Sequence, residues 1–243
     1  RIVILGGGTG GTLAANRLRR RHDDDVEIVV VDRDDRHIYQ PGMLFVPFGL
    51  ADPGEIVRPR SRQLHHGIEF RLGVVDRVET AENVVHLEDG GTLAYDVLVI
   101  ASGAELLPAE TEGLLGPGWG VHVFTFYELE SATALRDALR DFDRGHLVVN
   151  PVEMPIKCPV APLEFCFLAD WFLRERGVRD AVDITFVTPL DGAFTKPIAS
   201  AELAGLLAAK DIRVETEFAT GEIDGANGRL VSWDEREVPF DLS

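Results

Sequence analysis

The sequence predicts an α/β fold of two Rossmann-like units, with parallel sheets and β-meander crossovers. Three observations carry that reading. Arg1–Leu5 is an apolar run followed at once by glycines and an amphipathic stretch. Val26–Val31 is a β-branched run that completes a βαβ unit of about 30 residues. A weak internal repeat relates Gly67–Asp96 to Asp211–Asp241.

The elements follow in order. Thr9–Arg21 reads as a helix with Leu13, Ala14 and Leu18 inward and basic residues in its last turn, where they complement the helix dipole. Asp32–Leu50 reads as a loop, and Asp52–Leu64 as a helix interrupted at Pro59. Ile68–Val75, Arg77–Glu79, Val84–Leu87 and Thr92–Leu93 are short strands, with turns at Glu82-Asn83 and Asp89-Gly90-Gly91. Val97–Ile100 is a buried strand, and a Gly/Pro-rich connector follows from Ala104 to Gly120.

The pattern then partly restarts. Helices are expected at Leu129–Asp141, Pro162–Arg176 and Ala199–Lys210, the second with Pro in its first turn and Gly177 at its end. Strands are expected at Leu147–Val149, Ile184–Val187, Ile212–Glu217, Ala219–Ile223 and Leu230–Trp233. In the first copy of the repeat Tyr95-Asp96 leads into a strand; in the second, Phe240-Asp241 leads to Leu242-Ser243 and the sequence stops. The expected domains are therefore 1–108 and 109–243, the second cut short at its last strand, as in a fragment.

Composition narrows the partners. A hydrophobic content of 45% suffices for a core. The net charge of -17 argues against nucleic acid, whose phosphates need a basic surface. Two cysteines cannot make a disulfide scaffold. No apolar run approaches the roughly 18 residues of a membrane span, and no metal site is expected. No signal peptide is visible, but the sequence starts on a strand without Met, so that absence carries no weight.

Gly6, Gly8 and Gly11 form G-x-G-x-x-G between strand and helix. The first permits a tight turn, the second admits a pyrophosphate, and the third lets helix and strand approach. Exposed N–H groups around Thr9 and Gly10 and the helix dipole would hold the anion. Asp32 lies 21 residues after Gly11, close to the ~20 expected of a ribose-binding carboxylate, with Arg33 beside it. Ala101-Ser102-Gly103 resembles the segment that returns under FAD in two-dinucleotide flavoproteins, and Val75 sits where their backbone reads adenine. The expected cofactor is FAD, its ADP half held by residues 1 to about 103.

The second unit lacks that fingerprint. Asn150–Pro162 contains no glycine but has Pro151, Pro155, Pro159 and Pro162. Proline has no N–H to offer a pyrophosphate. The second strand ends at Val187-Thr188-Pro189, without a ribose acid, so NAD(P)H is not expected there. Cys158 stands in this loop, just before a helix and beside Lys157, both of which favour thiolate. A loop in this place is expected to face the flavin, so its thiolate could exchange with sulfur species and pass an electron pair on. Otherwise it is an inert cysteine. Glu164, in the helix's first turn, could relay protons or simply complement the dipole. Cys166 reads as core, and a Cys158–Cys166 bridge as strained.

The segments Pro155–Asp180, Thr185–Ala199 and His37–Gly49, with Pro-Ile-Lys-Cys at 155–158, resemble sulfide:quinone oxidoreductases across essentially the whole sequence. The resemblance implies FAD, a membrane quinone as electron acceptor and a redox cysteine pair flanking the flavin. Cys158 matches one of that pair, Glu164 an acid that moves protons, and Pro41 the loop near the flavin. It implies that sulfide attacks a cysteine disulfide or polysulfide bridge, that a released thiolate reduces the flavin, and that sulfur leaves as polysulfide or persulfide. The partner cysteine, a second FAD segment and membrane-dipping helices belong to a part of the family absent from this sequence. A third cysteine found in some members would fall near Thr125–Tyr127, where there is none. The expected location is peripheral on a membrane, with a homo-oligomer left open. Three other readings stand beside this one: a type II NADH:quinone oxidoreductase, the flavin subunit of a sulfide dehydrogenase, and an inactive FAD-binding fragment.

Overall fold

The protein is described by a computed structural model covering residues 1–22 and 25–243. It forms two compact units, Arg1–Tyr39 with Gly54–Glu105, and Gln40–Pro53 with Leu106–Ser243. The expected α/β class holds in both. The expected division at residue 108 misses one exchange, because residues 40–53 pack with the second unit.

The first unit opens with β1 (Ile2–Leu5), α1 (Thr9–Arg21) and β2 (Ile28–Asp32). β1 and β2 pair in parallel and are almost wholly buried, as continuous apolar runs require. α1 closes on three arginines, Arg19 to Arg21, at the negative end of its dipole. Its buried stripe is Gly11, Thr12, Ala15 and Arg19, whereas Leu13 is 48% exposed, against expectation. The close approach demanded at Gly11 turns that side of the helix to the sheet and carries Leu13 outward.

β3 (Arg36–Ile38) follows; the chain then leaves for the second unit as α2 (Gln40–Met43) and a 3-10 turn at Val46–Phe48, and returns as β4 (Val57–Pro59). The helix expected over 52–64 is not formed. β4 pairs antiparallel with β3, His37 opposite Arg58, and Arg60–Gln63 makes a 3-10 turn. Pro53 and Pro59 leave too few residues between them for a helix, and a residue preceding proline is driven to extended backbone. β5 (Glu69–Leu72) then joins the sheet beside β2. β6 (Val75–Glu79), β7 (Val84–Leu87) and β8 (Thr92–Ala94) form the meander, and β9 (Val97–Ile100) returns beside β1. The sheet order is β5-β2-β1-β9.

The second unit repeats the plan. α3 (Leu129–Asp141) precedes β10 (Gly145–Val149), α4 (Ala161–Glu175), β11 (Val182–Val187), α5 (Pro197–Ala208) and β12 (Ile212–Glu215). Its sheet runs β10-β11-β12, all parallel. β13 (Thr220–Asp224), β14 (Arg229–Ser232) and β15 (Glu237–Pro239) form the second meander. Both meanders carry a register shift in their first strand, between Val75 and Arg77 and between Thr220 and Glu222. Leu242 bridges Leu147 in parallel, on the edge of β10 that corresponds to the β9 side of β1. The repeat in the sequence is thus a repeat of structure. The borrowed segment enters this unit's core through Phe48, whose ring lies 4.9 Å from Phe165 and 5.8 Å from Phe172.

One buried ion cluster ties these elements. Asp170 on α4 is fully buried and meets Arg174 at 2.9 Å, Arg179 at 2.9 Å and Lys210 at 2.8 Å. Arg179 also donates to the carbonyls of Val182, Lys210 and Asp211, so one guanidinium joins the starts of β11 and β12. Burial raises the Asp170 carboxyl, but hydrogen bonds from Arg174, Lys210 and Arg179 outweigh it and hold the group below the ordinary carboxylate range. A carboxyl lowered by folding adds stability that is complete above its unfolded pKa of about 3.9 and is lost as pH falls through the folded value. Asp170→Ala leaves the buried Arg179 guanidinium without its counter-charge and should cost about 3–5 kcal/mol in urea unfolding at neutral pH. The gap to wild type should narrow below about pH 4. A neutral-pH loss under about 1 kcal/mol would contradict this account.

Candidate functional site

The glycine turn is set by backbone against backbone. Gly6 has φ +100, and a Cβ there would lie 2.3 Å from the carbonyl oxygen of Ala101. A Cβ on Gly11 would lie 1.8 Å from the carbonyl oxygen of Gly6. Ala101 N–H donates to Leu5 O at 2.8 Å, which brings Ala101-Ser102-Gly103 against the turn. Ser102 is exposed and Gly103 has φ +79. Gly8 differs from the other two, since a Cβ added there meets nothing within 4 Å. Its absent side chain serves open space rather than packing.

That space lies at the start of α1. Thr9 and Gly10 lie in its first turn, Gly8 is its cap residue without a side-chain cap bond, and no acid sits in that turn. N–H groups of the first helical turn have no partner within their own helix, and they carry the positive end of the dipole. Thr12, unmarked in the sequence reading, donates its hydroxyl to Gly7 O at 2.9 Å and braces the turn. The local set therefore fits a dinucleotide pyrophosphate: uncapped N–H groups, space above Gly8 and an acid at the end of β2.

That acid, Asp32, accepts from Gly7 N–H at 2.6 Å and pairs with Arg60 at 3.1 Å. Arg60 was not marked by sequence reasoning, because it stood inside an expected helix. Arg33 is exposed and reaches Asp34 only at 4.0 Å. Val75 begins β6, opposite Leu87. Pro41 is exposed on α2, within the segment that packs with the second unit. The structure thus brings Gly6–Gly11, Asp32 and Ala101–Gly103 together in one unit and places Pro41 on the other.

In the second unit the loop after β10 is pinned by Asn150. Its amide donates to Val187 O at 3.1 Å and accepts from Thr220 at 3.0 Å. Cys158 is exposed, with left-handed backbone at φ +54. Its carbonyl accepts from Ala161 N–H at 3.0 Å and from the Tyr127 hydroxyl at 3.1 Å. Tyr127 stacks on Phe126, which stacks on Phe165, and Lys157 Nζ lies 5.7 Å from the Tyr127 ring centroid. Burial raises the Tyr127 phenol far above its ordinary value, and the charges of Cys158 and Glu164 add to this. The hydroxyl is therefore a donor over the whole working pH range. Glu164 is exposed in the first turn of α4. Cys166 is fully buried in the core, as expected, and burial pushes its thiol up. Both cysteines are free.

Residues 1–150 match the family model described as "Pyridine nucleotide-disulphide oxidoreductase". The mouse mitochondrial sulfide:quinone oxidoreductase is 26% identical over 88% of this chain and 47% of its own length. A demethylphylloquinone reductase from Synechocystis is 34% identical over 100% of this chain and 60% of its own. The crystal structure of the sulfide:quinone oxidoreductase from Aquifex aeolicus superposes with a TM-score of 0.83 at 22% identity, covering 99% of this chain and 57% of that one. That likeness establishes the fold. The chain spans about half the length of the sulfide:quinone oxidoreductases it resembles.

The glycines allow a separation of folding from binding. Gly11→Ala should cost about 1–3 kcal/mol in unfolding, because backbone must move. Gly8→Ala, at an ordinary φ of -70, should leave the melting temperature within a degree or two, yet weaken FAD at least about tenfold in a fluorescence titration. Unchanged FAD binding by a folded Gly8→Ala protein would show that the space over Gly8 is not a ligand site.

Proposed function

The chain belongs to the pyridine nucleotide-disulphide oxidoreductase family, and on that premise we propose that it is the FAD-binding, sulfur-reactive part of a sulfide:quinone oxidoreductase. The observation that carries the reading is Cys158. It is exposed, held in a left-handed turn and set just ahead of α4, in the loop where a nicotinamide-binding unit would need glycines. Similarity to sulfide:quinone oxidoreductases from mouse, Dictyostelium discoideum and fission yeast supports it.

Gly6, Gly8, Thr9, Gly10, Gly11, Asp32, Arg33, Val75, Ala101, Ser102 and Gly103 would hold FAD, and by the family resemblance Pro41 would as well. Bound FAD would supply the two-electron acceptor from which quinone is reduced. Sulfide would attack a disulfide or polysulfide bridge between Cys158 and a second cysteine. The S–S bond broken would leave the sulfide sulfur as a persulfide on one cysteine and free the other as a thiolate, whose electron pair FAD would accept. The Tyr127 hydroxyl holds the Cys158 carbonyl in place, and the positive end of the α4 dipole favours negative charge nearby. Glu164, exposed one turn further on, would exchange protons with solvent as sulfide loses its own. Among the described residues no helix is long and apolar enough to cross a membrane; by the family resemblance the quinone would be a membrane quinone.

A second reading, NADH:quinone oxidoreduction, is favoured by the 35% identity, over 43% of this chain, to the type II NADH:quinone oxidoreductase of Mycobacterium tuberculosis. The glycine-free loop and Thr188 at the end of β11 count against it. Stopped-flow bleaching of the flavin absorbance separates the two. Sulfide should bleach it in the intact enzyme and NADH should not, and the reverse result selects the second reading. Cys158→Ser should abolish the sulfide response; undiminished bleaching would remove Cys158 from the chemistry. Glu164→Gln should slow that step about 10²-fold, the lower end for loss of general acid–base help.

A further inference from the structure

We propose that Arg60 is a positioning residue of the nucleotide site, which saturates one oxygen of Asp32 so that this carboxylate presents only its other oxygen to the ribose of the bound adenosine. The inference rests on the reading of residues 6–11 and Asp32 as an FAD site and deepens it. A carboxylate that offers two free oxygens can accept both ribose hydroxyls; a carboxylate with one oxygen already filled can favour one.

The occupancy of the two oxygens is unequal. Oδ2 takes the Gly7 N–H at 2.6 Å and Arg60 Nη1 at 3.1 Å. Two donors use the two lone pairs of a carboxylate oxygen. Oδ1 has the N–H of Asp34 at 3.4 Å, a long contact that leaves it room for another donor. The Asp32 side chain is 11% exposed, so one approach remains.

Arg60 is built in rather than lying on the surface. Its side chain is 14% exposed. Nη2 pairs with Asp34 Oδ1 at 3.1 Å, and Nε donates to the Asp34 carbonyl at 3.0 Å. Asp34 is itself fixed by Arg36 N–H at 2.7 Å. Burial raises the Asp34 carboxyl, but the Arg36 N–H and Arg60 outweigh it and hold the group below its ordinary range. Next door, Ser61 gives Asp35 its N–H at 2.8 Å and its hydroxyl at 2.9 Å. The 3-10 turn that replaced the expected helix thus clamps the loop after β2 at two consecutive acids. A planar guanidinium can fill these three acceptors at once, and an ammonium cannot. The same guanidinium offsets the charge of Asp32, which would otherwise repel a pyrophosphate at the start of α1. A Cβ on Gly7 would lie 3.0 Å from Arg60 Cδ, so the arginine lies directly against the glycine turn.

The test is a competition titration against FAD using ADP, 2′-deoxy-ADP and 3′-deoxy-ADP. In wild type one deoxy analogue should bind about tenfold more weakly than ADP and the other within about twofold, the signature of one charged hydrogen bond. Arg60→Met should weaken ADP about tenfold and close the gap between the two analogues, because Oδ2, left with the Gly7 N–H alone, regains a lone pair for the second hydroxyl. Arg60→Lys keeps the charge without the fork; it should recover part of the affinity and none of the discrimination. Thermal melts accompany each variant, and Asp34→Asn, which loosens Arg60 while leaving it present, should reduce the discrimination should Arg60→Met fail to fold. Equal losses for both analogues in wild type, or a discrimination unchanged in Arg60→Met, would overturn the proposal. A wild-type protein that binds neither FAD nor ADP would instead overturn the FAD reading on which the proposal stands. The pattern between analogues is a readout that a purely structural role for Arg60 would not move.

Discussion

The first unit depends on three backbone segments meeting without side chains between them. Gly11 rests on the carbonyl of Gly6, and Gly6 rests on the carbonyl of Ala101. That contact joins helix to strand, and β1 to the end of β9. It decides which side of α1 is buried, which is why Gly11, Thr12, Ala15 and Arg19 face inward while Leu13 does not. It also points the start of α1 at the space over Gly8. The glycines of this single motif differ in surroundings: two are closed off by neighbouring backbone and one is left open.

Around that contact the protein spends charged groups on geometry. Asp32 is linked to the turn through Gly7, and through Arg60 to the loop behind it. In the second unit Asp170 plays a comparable role in the dark, with three cations on one carboxylate. The two clusters differ in what they leave unsatisfied. Asp170 is enclosed by its partners, whereas Asp32 retains an oxygen with only a long contact. Asp32 therefore keeps acceptor capacity beside an open helix start, and Asp170 keeps none.

The second unit repeats the first in strand order and in the bulge of its meander, and departs from it at the loop after the first strand. Proline replaces glycine there, which removes N–H donors and stiffens the chain. The stiffened loop presents Cys158, and an aromatic stack running from Phe165 through Phe126 holds Tyr127 against its carbonyl. The same architecture therefore carries a glycine turn in one unit and a proline-rich turn with an exposed cysteine in the other without altering the sheet beneath it.

The sequence by itself determined the fold class, the repeat, the glycine motif with Asp32 and the contrast with the proline-rich loop. Each rests on short-range periodicity or on residue types with a single backbone consequence. Tertiary structure decided what depends on partners distant in the chain. Arg60 was hidden because prolines 53 and 59 forbid the helix that the region otherwise suggested, and its partners lie 26 to 28 positions earlier. Tyr127 was visible only as a position without cysteine, since its hydrogen bond to Cys158 spans 31 residues. Residues 40–53 passed to the second unit because Phe48 finds its aromatic partners on α4, a choice no local pattern records. Local patterns specify what a segment can become, and the burial of one segment against another decides which side chains meet.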